Sequence, residues 1–526
     1  MNNNKVKTLF LICGILLICS CYEDKGNYTY GEPTTITVEN LPTSISLVQK
    51  SDHIVLDPVI ISSKEGTIAA DNPNFEYGCR LYLQAGSFPS GSRWVDINEQ
   101  KTRKVDILAD FDANSYLAWY TITDKRSGET KNVSVEIKIT SGTYEGWMVL
   151  CDVGSENKTR LDMVSVLSKV RKEAVHDILG SGAPQLRNSN KILFDAWPKY
   201  AKGDAIWMST QDGTYVLNQT TLQTKAVDNI ATSLFILDLG DEIPVAVDAL
   251  PFTAHFAVTN KGNLYYQNMG KTGSAFELPI NMFKEDGAPE FKVAPFIGVP
   301  QMRPYTWDEI ALFYDKDNKR FVGWDTAKGK GQICFNLPEP ENKLFSYTTG
   351  RDLVTMVNTK FNDGTIYSVL QDAAQNRYVY GINLAGGQFA QTFYQQISTE
   401  GFSQADQFAF HSQYPYMFYS VGNKVYCYHM MAPNLTQPLT LDGEEITLLK
   451  FNLFQTTKDK ISDSSDEFME QEYYLIVGSY KKNATDDNGG MLRFYKFDQA
   501  QKTLTKVSEY SGFGKIRDVT YRERCK

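Results

Sequence analysis

A hairpin that returns about every fifty to sixty residues constrains this chain more than any other feature. It appears as WMVLCDVG near 147 and as AIWMSTQDGTYVLN from 205. It returns as FAVTNKGNLYYQN from 256, IALFYDKDNKRFVGW from 310 and IYSVLQDAAQNRYVYGINL from 366. The last copies are YMFYSVGNKVYCYHM from 416 and YYLIVGSYKK, followed by MLRFYKF, from 473. Apolar runs flank turns such as Asp-Gly, Lys-Gly-Asn and Gly-Asn, the chemistry of tight β-hairpins. One hairpin cannot bury its own apolar faces, so repeats of this period stack as blades. The mean spacing is about 54 residues, and seven units need about 380, roughly the length of the segment 143–526. The expectation for 143–526 is a β-propeller with seven blades favoured. Eight blades, or six with an insertion, are the alternatives.

From 36 to 142 the pattern changes to strict alternation. Phe75, Tyr77, Cys79, Leu81 and Leu83 form one series, and Val133, Val135, Ile137 and Ile139 another. Alternation of period two buries one face of a strand and wets the other. Residues 116–123 and 132–140 flank the loop Asp124-Lys-Arg-Ser-Gly-Glu-Thr130 and read as a hairpin with a longer turn. About seven strands in a hundred residues fit a β-sandwich. The whole chain therefore reads as all-β, in keeping with an aromatic content of 13%. Two regions depart from the hairpin pattern. Leu161 to Leu179 reads as a strand followed by a helix, with Gly180 as its stop. Ser462 to Glu472 reads as an acidic loop before the last hairpin. The strand Gly514 to Arg522 is the candidate to complete the first blade.

The N-terminus says where the chain works. Lys5 and Lys7 precede an apolar run from Leu9 to Cys19, too short to span a bilayer as a mature helix. The run closes on Ile18-Cys19-Ser20-Cys21, a lipobox pattern. Residues 1–20 read as a lipoprotein signal peptide, with Cys21 as the lipidated residue. Two or more acyl chains hold a protein stably to a membrane, where one does not. Residues 21–35 read as the lipidated cysteine and a polar tether. The segment Cys21-Tyr-Glu-Asp-Lys-Gly-Asn-Tyr28 resembles the start of the Bacteroidetes PKD-like family of surface lipoproteins. The stretch SYLAWYTITDKRSGETKNVSVEIKI is similar to the last hairpin of a PKD or immunoglobulin-like domain. The Trp-x-Phe-Gly-Asp-Gly hallmark of true PKD domains is missing, and the comparable strand reads FEYGCRLYLQ. The resemblance implies a PKD/immunoglobulin-like sandwich at 36–142 followed by a β-rich C-terminal part. Glu23 and Asp24 resemble the signal that sends such lipoproteins to the outer face of the outer membrane. The family is associated with Sus-like nutrient-uptake systems.

Charge and motifs narrow the chemistry. The chain has 53 basic and 62 acidic residues, and the signal holds two of the lysines. An acidic mature chain argues against a nucleic-acid partner, which needs a basic face. Cys79, Cys151, Cys334, Cys427 and Cys525 remain after the signal and the lipidated cysteine; none forms CxxC, and their pairing stays open. Cys79, Cys151 and Cys427 sit in apolar strand-like runs and read as buried small hydrophobes. The five histidines, His53, His176, His255, His411 and His429, show no metal-ligand spacing. No G-x-S-x-G or Walker-type loop is present; Gly401-Phe-Ser-Gln-Ala405 lacks the second glycine. Asp212-Gly213 reads as a hairpin turn. Asp315, Asp317 and Asn318 read as a surface turn in preference to a calcium loop, since Lys319 and Arg320 follow. No catalytic residue, metal or cofactor is expected.

Three aromatic–proline clusters fall at one phase of the repeat. They are Trp197-Pro198-Lys-Tyr200, Pro304-Tyr305-Thr-Trp307 and Tyr414-Pro415-Tyr416. Loops at one phase open on one face of a propeller, so Trp197, Tyr200, Tyr305, Trp307, Tyr414 and Tyr416 are the candidate ligand-binding residues. Flat rings suit sugar faces or peptide side chains. Packing between blades is the competing role for all six. The expected function is a lipid-anchored outer-membrane protein of the cell surface, binding a glycan, a peptide or a partner protein. Its partners would be the membrane, through the lipid, and a Sus-like transporter or other surface lipoproteins. The alternatives are a surface hydrolase or lyase with its site on the propeller, and a structural lipoprotein of a surface assembly.

Overall fold

A computed structural model of the chain describes residues 34–49, 51–83, 91–167, 171–196, 205–251, 253–269, 274–285, 287–301, 309–326, 333–455, 465–484 and 487–523. The chain divides into two compact units, 1–139 and 140–526. Both are built of strands.

The first unit holds three sheets around one core. Its largest sheet has five strands in the order Ser44–Val48, Thr130–Thr140, Asn114–Asp124, Phe75–Leu83 and Trp94–Asp96. A three-stranded sheet starting at Ile36–Glu39 and the pair His53–Leu56 with Val105–Leu108 supply the remaining apolar faces. Phe75, Tyr77, Cys79, Leu81 and Leu83 all point into the core, while Arg80 between them is exposed. Tyr116, Ala118, Tyr120 and Ile122 meet them from the neighbouring strand. The hairpin loop is held by Asp124, whose carboxylate accepts from the Arg126 guanidinium at 2.8 Å.

The second unit is a seven-bladed propeller. Seven antiparallel sheets follow one another along the chain. The inner strands of blades two, three, five, six and seven are Ser189–Asp195, Pro244–Leu250, Asp352–Asn358, Gln407–Phe410 and Glu444–Lys450. In blade four, residues 293–298 take the inner place through bridges from Val293 to Asp315 and from Gly298 to Leu312. Blade one takes its inner strand from the far end of the chain, where Lys515–Arg522 pairs antiparallel with Gly146–Val153. That pairing ties the two ends of the unit together. Close approach at the seam requires glycine: a Cβ on Gly490 would stand 1.9 Å from the Gly514 carbonyl oxygen.

The recurring hairpins of the sequence are the middle strands of the blades. They read as unbroken apolar runs because both faces of a blade are covered by its neighbours. Met148 and Leu150 face blade two, whereas Trp147, Val149 and Cys151 face blade seven. One apolar cluster lies between each pair of successive blades, and the cluster joining blade seven to blade one closes the ring. The four described cysteines, Cys79, Cys151, Cys334 and Cys427, are free and buried within these cores.

Two expectations are corrected. The region 161–179 contains no described helix: Lys158–Val166 continues as a strand and Lys172–Val175 pairs back onto it. Register pairing on an open sheet edge outweighs the helix-like spacing of its apolar residues. The acidic segment before the last hairpin is not wholly a loop. Residues 466–470 form a helical turn, capped by the Ser465 hydroxyl accepting from the Phe468 N–H, and Phe468 is buried. Asp315 holds a tight turn, accepting from the N–H groups of Asp317 and Asn318 at 3.1 and 3.0 Å and from Arg320 at 2.8 Å.

Candidate functional site: the central cavity of the propeller

The inner strands present an edge to the propeller axis, and an open edge leaves backbone N–H and C=O groups without ladder partners. Side chains from neighbouring blades meet part of that need. The Asp518 carboxylate accepts from the Ile192 N–H at 3.0 Å, joining blade one to blade two. The Asn190 amide donates to the Val245 carbonyl at 2.6 Å, joining two to three. Asn358 accepts from the Val299 N–H and donates to the Ile297 carbonyl, both at 3.1 Å, joining five to four.

Ion pairs strengthen this belt. Lys450 of blade seven donates to Asp518 at 2.7 Å. Lys191 of blade two pairs with Asp248 of blade three, which also accepts from Asn358 at 3.4 Å. Arg517 donates to Asp152 at 2.6 Å. Around the axis the charges therefore alternate: Lys450, Asp518, Lys191, Asp248.

The belt surrounds a cavity of about 370 Å³ walled by residues of all seven inner strands. Among the described residues its lining contains no histidine or cysteine. Phe296, Ile297 and Met356 supply an apolar wall on the side of blades four and five. Gln301 is nine-tenths buried, lines the cavity, and has no hydrogen-bond partner among the described residues.

One strap of blade seven reaches across the ring. Gln455 accepts from the Ala196 N–H and donates to the Phe194 carbonyl, each at 2.8 Å, on blade two. The Phe454 carbonyl accepts from Lys360 of blade five at 2.7 Å, and Lys360 also pairs with Glu472. Phe454 stacks on Phe468 with ring centroids 5.0 Å apart. Residues 451–455 thus link blades two, five and seven where the inner strands end.

His411 lies at the same end, on the turn after the inner strand of blade six. Burial pushes its pKa down to about 4. Its Nδ1 accepts from the N–H groups of Gln413 and Tyr414 at 3.0 and 3.3 Å, so the neutral ring is the one this turn requires.

The aromatic candidates fall as follows. Cys21, Trp197, Tyr200, Tyr305 and Trp307 lie outside the described residues. Tyr414 lies on the connection between the inner and second strands of blade six. Tyr414 is half-buried, 5.0 Å from the His411 ring. Tyr416 is buried between blades six and seven, against His429 and Phe497. Its ring is committed to inter-blade packing. Neither tyrosine lines the cavity.

The sequence reading missed the cavity residues Lys191, Asp248, Gln301, Asn358, Lys450 and Asp518. Several carry a signal of one kind: a single charged residue beside or within an apolar run, as in Lys191-Ile-Leu-Phe, Val-Asp248-Ala-Leu and Leu-Leu-Lys450-Phe.

Comparison with known proteins gives a family match for the N-terminal third. Residues 21–184 match the PKD-like family, a span that takes in the first unit from residue 21 and three of the four strands of blade one. No curated protein matches the chain. Among solved structures, a quinonprotein alcohol dehydrogenase-like protein from Bacteroides thetaiotaomicron is 12% identical, with a TM-score of 0.43. That alignment covers 92% of this chain and 97% of the other. A protein from Lactobacillus plantarum is 11% identical over 72% of this chain and 99% of its own, with a TM-score of 0.39. The WD40 propeller domain of Doa1 is 9% identical, covering 67% of this chain and 91% of its own, at a TM-score of 0.35. Similarities this low say nothing of activity, and the propeller assignment rests on the seven sheets and the clusters between them.

Proposed function

We propose that this chain is a lipid-anchored binding protein of the outer cell surface, whose propeller captures a small ligand for a Sus-like uptake system. The observation that carries the binding role is the central cavity, whose volume of about 370 Å³ suits a small molecule. Binding is the preferred reading because the charged groups of the lining, Lys191 with Asp248 and Lys450 with Asp518, are taken up in ion pairs between blades. The placement is supported by the lipobox ending at Cys21 and by Glu23 and Asp24 behind it. No described helix is long and apolar enough to cross a membrane.

The test is purification of the lipidated full chain from detergent-solubilised membranes, with the Cys21→Ala chain in parallel. Recovery of an outer-membrane transporter with the wild type, and loss of radiolabelled fatty acid from the variant, are expected. Unchanged labelling of Cys21→Ala would remove the anchor. A wild type recovered without a transporter would remove the uptake role.

A further inference from the structure

We infer that the central cavity takes a neutral polyhydroxylated ligand, a sugar of one or two rings, held between alternating lysine and aspartate side chains. The inference rests on the reading of the cavity as a ligand site and adds the class of ligand.

Charge decides the class first. Lys191 is paired with Asp248, Lys450 with Asp518, and Arg517 with Asp152. Each charge at the belt already has its opposite at contact distance. An ionic or zwitterionic ligand would have to break one of these pairs and leave a half-buried charge uncompensated, which is costly. A neutral ligand leaves the pairs in place.

Unused hydrogen-bonding capacity decides it next. An ammonium carries three donors, and each lysine spends one on its aspartate. Each carboxylate oxygen can accept more than once. The belt thus offers donors and acceptors in alternation. Gln301 adds an amide, both donor and acceptor, with no partner of its own among the described residues. A hydroxyl is the group that donates and accepts at once, and adjacent hydroxyls on a ring present that pair repeatedly. The apolar wall of Phe296, Ile297 and Met356 gives the C–H face of such a ring a surface to lie on. A volume of about 370 Å³ is near the lower end of small-molecule sites, roughly 300–1,000 Å³, and excludes a long oligomer lying wholly inside.

The experiment is calorimetric titration of the full chain in a detergent without a sugar headgroup. The probes are glucose, galactose, mannose, xylose, maltose and cellobiose, beside the dipeptide Ala-Leu and inorganic phosphate. Binding of at least one saccharide, with none of the dipeptide or phosphate, is expected. Gln301→Met should weaken that saccharide by about tenfold, the loss of one buried hydrogen bond, at unchanged melting temperature. Thr520→Val, which removes a cavity hydroxyl at nearly constant shape, is the second variant should the first lower the melting temperature. Binding of the dipeptide or phosphate, weakened by Gln301→Met, would overturn the sugar and leave the ligand site standing. Silence with every probe would overturn the ligand site itself. Saccharide binding that neither variant weakens would place the sugar elsewhere and overturn the inference.

Discussion

Lys450 donates to Asp518 at 2.7 Å, so the last blade grips the strand that completes the first. Asp518 is more than a counter-charge, because its other oxygen accepts the Ile192 N–H of blade two. One buried carboxylate therefore joins blades seven, one and two at the seam where the last strand of the propeller meets its first.

Asp518→Ala should destabilise the propeller by about 3–5 kcal/mol, since it strands a lysine and a backbone N–H together. Asp518→Asn keeps an acceptor for Ile192 and should cost clearly less. Urea denaturation of both variants decides the point. Equal, small losses below about 1 kcal/mol would mean that apolar packing alone closes the ring.

Arg493 spans blade seven. It donates to Glu444 at 2.7 Å and to Glu509 at 2.5 Å, and it is almost fully buried. Burial pushes the Glu444 carboxyl up, but the hydrogen bonds and charge of Arg493 outweigh that and leave its pKa lowered. The hydrogen bond from Arg493 lowers that of Glu509. A lowered carboxylate pKa contributes stability above the unfolded value near 4.5, and that stability is lost as the pH falls through the folded value. Arg493→Met should cost about 3–5 kcal/mol at pH 7, with a smaller difference from wild type below pH 4 as the carboxylates protonate. Chemical denaturation at both values measures it. A difference that does not shrink in acid would mean the loss lies in packing and not in charge.

The parts of the fold visible in the sequence were those buried on both faces. Trp147 to Cys151, Ala254 to Thr259 and Ile310 to Tyr314 lie between two blades, so their apolar runs are continuous and stand out. The inner strands are shorter in apolar content because one edge faces the cavity, and Lys191, Asp248 and Lys450 interrupt them. A lysine inside an apolar run reads as solvent-exposed until a second strand, distant in sequence, supplies its aspartate. Lys450 and Asp518 are neighbours only once the ring closes. That long separation, and not a lack of pattern, hid the site. The aromatic repeats were visible, but packing and binding ask for the same residue types, and Tyr416 turned out to pack.

His411 sets a pH limit. Burial holds its pKa near 4 against 6.5 when exposed, so the folded chain keeps it neutral. The unfolded chain takes up a proton first as the pH drops. Its contribution is therefore complete above about pH 6.5 and declines between about 6.5 and 4, by up to about 3 kcal/mol. Protonation at Nδ1 would also displace the N–H groups of Gln413 and Tyr414. The histidine ring resonances followed by NMR should show one that stays flat from pH 8 to 5 and is lost in His411→Asn. If that resonance titrated near 6.5, the ring would be open to water and the turn would not depend on it.

The propeller should fold without the residues before it. All seven inter-blade clusters and the closing strand lie within 140–526. A fragment carrying 140–526 contains every blade partner, so its unfolding should be cooperative and close to that of the propeller in the whole chain. The same fragment ending at Gly514 loses the inner strand of blade one, Asp518 and its contacts, and Tyr521 from the seam cluster. It leaves Gly146–Val153 as an open edge beside an uncovered apolar face. That shorter fragment should fail to melt cooperatively and should be digested rapidly by trypsin, whereas the full 140–526 fragment resists. Supplying residues 515–526 as a separate peptide should restore part of the protection, because the strand pairs through backbone hydrogen bonds that need no covalent link. Equal resistance of the two fragments would mean that the ring closes without the terminal strand, and the seam between blades seven and one would have to be redrawn.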